Sequence, residues 1–239
     1  MAPDSFVPPV TQTDPNYAFG GGMVIDGCTP DEAVCKSARR CLRFDTVLAN
    51  YGTGPLEVAY SVDPENGGLA AYQRTYRSDG TYESVFAIET EYHPTHAHFH
   101  IQDFYLAKLW RLDKRNRVKG KRPVAQSNKN GFCPEDSAPA QSAPPQGHYS
   151  CFEPSADTDG ALSVVGISPG WADIYPSSLP DQYIEITGLS DSKYLFEMEI
   201  DPLNVFVESE EEDNRVCLGL HLYSGYASSF GLRNCPKRF

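Results

Sequence analysis

The chain has 239 residues and a formal net charge of −12, with 40% hydrophobic and 12% aromatic residues. That is enough apolar material for one large β domain or two small ones, while the acidic balance argues against a nucleic-acid partner, which needs a basic face. No apolar run approaches the ~20 residues that span a bilayer, and an acidic field suits cationic partners, protonated amines among them.

The first 27 residues are rich in Pro and Gly, with a turning point at Gly20-Gly21-Gly22. Met1–Phe6 has no basic region leading into an apolar segment, so no signal peptide is read there. Seven cysteines are spread along the chain without a CxxC pair, which reads as disulfides in an oxidising compartment rather than as a thiolate zinc site. Arg43–Ala49 alternates and is β-branched, then meets Asn50-Tyr51-Gly52-Thr53-Gly54-Pro55, the pattern of a strand and a turn. Leu56–Tyr60, Tyr72–Tyr76 and Tyr82–Glu89 read as further strands, separated by Pro64–Gly68 and Ser78–Gly80.

Four of the six histidines fall in Glu91-Tyr92-His93-Pro94-Thr95-His96-Ala97-His98-Phe99-His100-Ile101. As a strand, this stretch sends His96, His98 and His100 to one face and Ala97, Phe99 and Ile101 to the other. Three imidazoles on one face make a nitrogen site for copper, zinc, nickel or iron; a solvated histidine run would lack the apolar alternation. The same strand is expected to continue through Phe104–Trp110.

From Asp113 to Gly160 the periodicity stops. The stretch is basic at first (Lys114, Arg115, Arg117, Lys119, Lys121, Arg122) and then rich in Pro, Ser, Ala and Gly. Long irregular segments are usually functional or disordered, and pairing of Cys133 with Cys151 would order this one. Strand signals return at Tyr183–Thr187 and at Tyr194–Ile200, where Glu197 and Glu199 share one face and Phe196, Met198 and Ile200 the other. An acidic run, Glu208-Ser209-Glu210-Glu211-Glu212-Asp213-Asn214, precedes Cys217 and Cys235. With no helical period and no repeat, the chain reads as mainly β, a single sandwich-like domain over residues 1–239 with long irregular loops, stapled by disulfides.

Several motifs in order resemble the catalytic domain of the lysyl oxidases, copper amine oxidases that carry a cofactor made from their own side chains. His93-Pro-Thr-His96-Ala-His98-Phe-His100 is similar to the family's copper motif, which implies His96, His98 and His100 as ligands. Lys129-Asn130-Gly131-Phe132-Cys133-Pro134-Glu135-Asp136 resembles the K-x-x-F-C-x-E-D segment whose lysine enters lysine tyrosylquinone. Gly166-Ile-Ser168-Pro-Gly170-Trp-Ala-Asp173-Ile-Tyr175 resembles G-x-S-x-G-x-x-D-x-Y, whose tyrosine becomes the quinone ring. By the same resemblance, Asp4 and the carbonyl of Ser5 join Glu208, Glu210, Asp213 and Asn214 around a structural calcium ion, although an acidic run by itself reads as a solvated loop. Asp173 matches a family aspartate; a carboxylate there can accept a proton, support a neighbouring ligand, or close an Asx turn after Gly170.

The chain departs from the vertebrate pattern at two cysteines. Thr95 stands where those enzymes have one, and a second is missing shortly after Cys133, which implies a microbial or distant member with a Cys133–Cys151 pair. Cys217–Cys235 is expected to close the C-terminal end, and one pair forms among Cys28, Cys35 and Cys41, either Cys28–Cys35 or Cys28–Cys41. The implied activity is oxidation of a primary amine, a small amine or a protein lysine side chain, by O₂ to an aldehyde, ammonia and hydrogen peroxide. It uses Cu²⁺ and a Lys129–Tyr175 quinone in a secreted or extracellular protein. Three histidines also suit a zinc hydrolase with Glu91 or Asp103 as base, or a non-catalytic metal-binding protein that never forms the quinone.

Overall fold

A computed structural model describes residues 40–65, 67–92, 98–128, 131–142, 144–152, 159–210 and 213–237 in full, and the backbone alone at 5–6, 24–26 and His93. Its strands are β1 Ser5–Phe6, β2 Val24–Asp26, β3 Cys41–Arg43, β4 Thr46–Asn50, β5 Leu56–Val62, β6 Leu69–Tyr76, β7 Tyr82–His93, β8 His98–Ile101 and β9 Tyr105–Arg111. They continue as β10 Ala125–Gln126, β11 Ala138–Pro139, β12 Ser163–Ile167, β13 Trp171–Tyr175, β14 Tyr183–Glu185, β15 Ser192–Ile200, β16 Arg215–Leu222 and β17 Ala227–Leu232. Among the described residues there is no helix.

Two five-stranded sheets carry most of the core. One runs β12-β5-β6-β7-β8 and the other β10-β9-β15-β16-β17, with smaller sheets β1-β4-β13-β11 and β14-β3-β2 between them. Val58, Tyr60 and Ile167 from the first five-stranded sheet share a single apolar core with Leu109, Phe196 and Leu220 from the second. β15 has both faces covered. Phe196, Met198 and Ile200 enter that core, while Glu197 and Glu199 on the other face meet Arg215 and Lys108, with Lys108 Nζ 2.7 Å from Glu199. The acid–apolar alternation in the sequence is therefore a sheet with a hydrophobic side and an ion-paired side, and burial of charge there is tolerated because each carboxylate has a cation.

The histidine region differs from the single long strand expected of it. β8 ends at Ile101, the backbone turns through Asp103 at φ 50°, and β9 begins at Tyr105 in the other five-stranded sheet. A short polar residue tolerates that left-handed conformation. Likewise the expected strand Arg43–Ala49 is split, with Arg43 closing β3 and Thr46–Ala49 falling in β4. β8 reaches its place through a β-bulge: the β6–β7 register shifts between Ala71 and Tyr72, leaving Ala87 extra and buried. A bulge bends its strand. The sheet curls enough that Phe99 of β8 lies 4.9 Å from the ring of Tyr60 on β5, although two strands separate them in the sheet order.

Two disulfides close the long loops, Cys133–Cys151 and Cys217–Cys235, as expected. Cys28 and Cys35 lie outside the described residues, and Cys41 is buried in β3.

Candidate metal and quinone site

The β7–β8 register sets His93 opposite His98 and Glu91 opposite His100. Directly opposed residues share a face. His100 is buried and His98 half-buried, and their Nε2 atoms approach to 3.0 Å. Two nitrogens each about 2.0–2.1 Å from one cation lie about 3 Å apart as neighbouring ligands, so this pair fits one edge of a metal coordination sphere. His96 lies outside the described residues, among which no group of three metal-ligating side chains forms. Phe152 stands edge-on to the His98 imidazole at 5.1 Å, largely exposed.

A second layer attaches to this strand through the backbone. Ile101 and Phe132 exchange both hydrogen bonds, Ile101 N–H to Phe132 O at 2.8 Å and Phe132 N–H to Ile101 O at 3.2 Å. Gly131 is pressed so close that a Cβ there would meet Ile101 O at 3.1 Å and His100 Cβ at 3.5 Å. The Phe132 ring packs between Tyr105 and Tyr175, at centroid distances of 4.3 and 4.1 Å. One residue on, the Cys133 N–H donates to Tyr175 Oη at 3.1 Å and the Tyr175 hydroxyl donates to Cys133 O at 2.8 Å. The chain thus steps from His100 to Ile101, across to Phe132 and Cys133, and onto the phenol of Tyr175.

Lys129 lies outside the described residues. Its neighbours are fixed on both sides. Ser127 is buried, its N–H donating to Ala107 O at 2.8 Å, and Gly131 sits against His100.

Tyr175 ends β13, where Trp171, Asp173 and Tyr175 alternate to one side. Burial pushes the Tyr175 phenol well above its ordinary value, with the Asp173 charge adding to it. Asp173 is fully buried and its carboxyl is likewise pushed well up by burial, against the lowering effect of Ser137 Oγ, which donates to Oδ1 at 3.0 Å. Its Oδ2 has no hydrogen-bond partner among the described residues. Asp173 sits inside a strand opposite Leu48, so it does not close an Asx turn. A carboxyl raised by burial beside a phenol raised the same way is a place where a proton can be held or taken.

The layer itself is bolted down by residues that spacing alone does not reveal. Asp136 Oδ2 accepts from His148 N–H and Ser168 Oγ, each at 2.7 Å, and Cys151 N–H donates to Glu135 Oε2 at 3.0 Å. Tyr149 donates to Glu57, which also meets Arg74 and accepts from Tyr76 at 2.8 Å. The one signal for Glu57 in the sequence is a lone acid between Leu56 and Val58 in a strand. Gly166 permits the close pairing of β12 with β5, since a Cβ there would lie 2.1 Å from Leu56 O.

In the acidic loop, buried Asn214 donates Nδ2 to Glu208 Oε1 at 2.9 Å, while its Oδ1 is buried with no hydrogen-bond partner among the described residues. A buried carbonyl oxygen beside a carboxylate suits a hard cation. Glu210 is exposed and Asp213 half-buried; Asp4 lies outside the described residues, and Ser5 is described only by its pairing with Asn50.

The lysyl oxidase family model matches residues 74–235. The chain is 27% identical to lysyl oxidase homolog 1 of Homo sapiens over 219 residues, covering 90% of this chain and 33% of that protein. It is 25% identical to protein-lysine 6-oxidase of Gallus gallus over 177 residues, covering 73% of this chain and 38% of the relative. It thus spans about a third of the length of these relatives. A match running from β6 to Cys235 takes in the histidine pair, the Phe132–Cys133 layer and Tyr175, and the chain belongs to the lysyl oxidase family.

Proposed function

We propose that this chain is a lysyl oxidase-like catalytic domain over residues 1–239 that oxidatively deaminates primary amines, small amines or lysine side chains of proteins, with Cu²⁺ and a lysine tyrosylquinone. The observation that carries the reading is the backbone path from His100 through Ile101, Phe132 and Cys133 to the Tyr175 hydroxyl. His98 and His100, with His96, would hold copper, and Tyr175 with Lys129 would form the quinone. Lys129 is two residues from Gly131, a Cα separation of at most about 7 Å. When bound, copper with O₂ supplies the oxidation that converts the tyrosine, and the quinone supplies the electron sink for amine oxidation.

The chain's own residues do the rest. Phe132 and the Cys133 backbone fix the orientation of the Tyr175 ring, and the Cys133–Cys151 disulfide and Asp136 hold that backbone in place. Asp173, its carboxyl raised by burial, is the candidate to take the substrate α-proton in its ionised form. Glu208, Asp213 and Asn214, with Glu210, Asp4 and the Ser5 carbonyl, would hold calcium and tie the chain's first strand to the acidic loop. Two disulfides support a secreted or extracellular setting, and no helix among the described residues is long and apolar enough to cross a membrane.

The test is copper-loaded, aerated protein given a primary amine. Peroxide release, visible absorbance and phenylhydrazine reactivity are expected together, and His98→Ala should lose both the metal and the activity. A variant that keeps stoichiometric copper and full activity would remove His98 from the site. The register that sets Glu91 opposite His100 gives a three-histidine zinc hydrolase its base; a colourless, phenylhydrazine-inert protein that hydrolyses substrate would favour that reading.

A further inference from the structure

Six of the 20 cationic residues fall in the nine positions from Lys114 to Arg122 of a chain whose net charge is −12. All six are exposed. They sit on an ordered turn rather than a loose tail. Asp113 N–H donates to Arg117 O at 2.9 Å, Lys119 N–H donates to Arg111 O at 2.8 Å, and Leu112 bridges Val118. The Asp113 carboxylate accepts from the N–H groups of Arg115 and Arg117 and pairs with the Arg117 guanidinium at 2.8 Å. Those bonds, led by the Arg117 N–H, hold its pKa at about 2. Arg117 is thereby committed to building the turn. The other five cations make no ion pair among the described residues. Lys193 on β15 joins them, donating to Asn116 Oδ1 at 3.1 Å.

The turn lies at the far end of β9 from Tyr105, which packs on Phe132. Seven residues at about 3.3 Å each put it about 20 Å from the Tyr175 layer, so an occupant would leave the candidate site open.

We propose that this basic turn is a binding site for a sulfated polysaccharide. Clustered exposed cations on an acidic protein concentrate a local positive field that a polyanion can match, and Arg115 and Arg122 can each grip a sulfate with two N–H groups. The two disulfides suit an oxidising compartment, away from cytosolic nucleic acid. Residues 111–124 contain no aromatic side chain on which a nucleobase could stack. The sole large apolar side chain exposed there is Val124, too little to enter a bilayer. The site is independent of the amine-oxidase reading.

The test titrates the whole chain with a size-defined heparin oligosaccharide, a neutral dextran of the same length and a single-stranded oligodeoxynucleotide of the same charge. Heparin should bind and dextran should not. If six cations each displace a counterion with the coefficient of a single-stranded polyanion, affinity should fall about 300-fold between roughly 50 and 200 mM salt. Replacing Lys114, Arg115, Lys119, Lys121 and Arg122 together by Gln, with Arg117 kept, should cut the salt slope by about 3.5 with an unchanged melting temperature. In the unaltered protein, heparin should also shield Lys114, Lys119 and Lys121 from acetylation, a readout that needs no variant. Wild-type affinity in the five-fold variant, acetylation unaffected by heparin, equal competition by the oligonucleotide, or salt-dependent self-association through the acidic loop in place of heparin binding would each overturn the assignment.

Discussion

The phenolic oxygen of Tyr175 is held by both backbone groups of one residue, Cys133, accepting from its N–H at 3.1 Å and donating to its C=O at 2.8 Å. The residue that would become the cofactor ring is thereby fixed at its oxygen, with Phe132 packed against its ring at 4.1 Å. Tyr175→Phe keeps the ring and leaves buried backbone groups at Cys133 without their partner, at a cost of about 1–3 kcal/mol. The expected result is a lower melting temperature, retained copper and no phenylhydrazine adduct. A Phe variant that still forms the adduct would place the quinone elsewhere.

The disulfide is the next anchor of that backbone. Closing an 18-residue separation contributes about 3 kcal/mol in the chain-entropy account. Cys151→Ser should lower stability by that order and loosen Cys151 from Glu135 and the Cys133 segment from Tyr175. Slower or absent cofactor formation should accompany it. Normal cofactor yield in a destabilised Cys151→Ser protein would show that Phe132 and Asp136 suffice to hold the layer.

Asp173 makes a pH prediction with a definite sign. Its folded pKa is raised by burial, so the neutral form is the one the fold prefers. That contribution is fully present below the unfolded carboxyl value of about 3.9 and is lost as pH rises through the raised folded value. Asp173→Asn, which keeps the acceptor oxygen for Ser137, should therefore gain stability relative to the parent as pH rises from about 4. Amine oxidation by the parent should climb with pH as Asp173 ionises, and the Asn variant should lose that limb. Parallel melting curves across the whole range would remove Asp173 as a buried titrating group, and an unchanged activity profile would remove it as the base.

Much of this was legible in the residues and some was not. The alternation of Glu197 and Glu199 with Phe196, Met198 and Ile200 reports a sheet with two different faces because a strand's period is two. The break after Ile101 was hidden, because Gln102-Asp103 carries no Gly or Pro and the turn depends on Asp103 adopting φ 50°. β12 and β13 were recognisable only as motif, since Ser163–Ile167 and Trp171–Tyr175 are short, the first carries Gly166, and Pro169-Gly170 falls between them. Asp173 was visible as a motif position, but its raised carboxyl comes from burial, opposed by a hydrogen bond from Ser137 thirty-six residues away. No local pattern encodes such a contact.

For calcium, the signal is the buried Asn214 Oδ1 beside Glu208. Binding to the folded state alone stabilises by mass action, about 2.7 kcal/mol at a hundredfold excess over Kd. Chelator should lower the melting temperature and calcium restore it, while Asn214→Asp should raise affinity by adding charge and Glu208→Gln should weaken it. A protein stripped of metal, verified as such, whose melting is indifferent to calcium would refute the site.

The cross-link itself carries the sharpest expectation. Ser127, two residues before Lys129, is buried with its N–H on Ala107 O, and Gly131, two residues after it, packs on His100; the proposed cross-link joins Lys129 to the ring that Cys133 holds. A primary amine adds to an electron-poor ring only when unprotonated, and desolvation next to a dication favours that form. Maturation needs copper and oxygen, so apo or zinc-loaded protein should give Lys129 and Tyr175 in separate, unmodified tryptic peptides. Copper-loaded, aerated protein with measured peroxide output should instead give one joined species, with cleavage after Lys129 blocked. Lys129→Ala should keep copper and abolish both the joined species and phenylhydrazine reactivity. Separate, unmodified peptides recovered from protein that is turning over amine would mean that the reaction runs without this quinone, whatever the histidines bind.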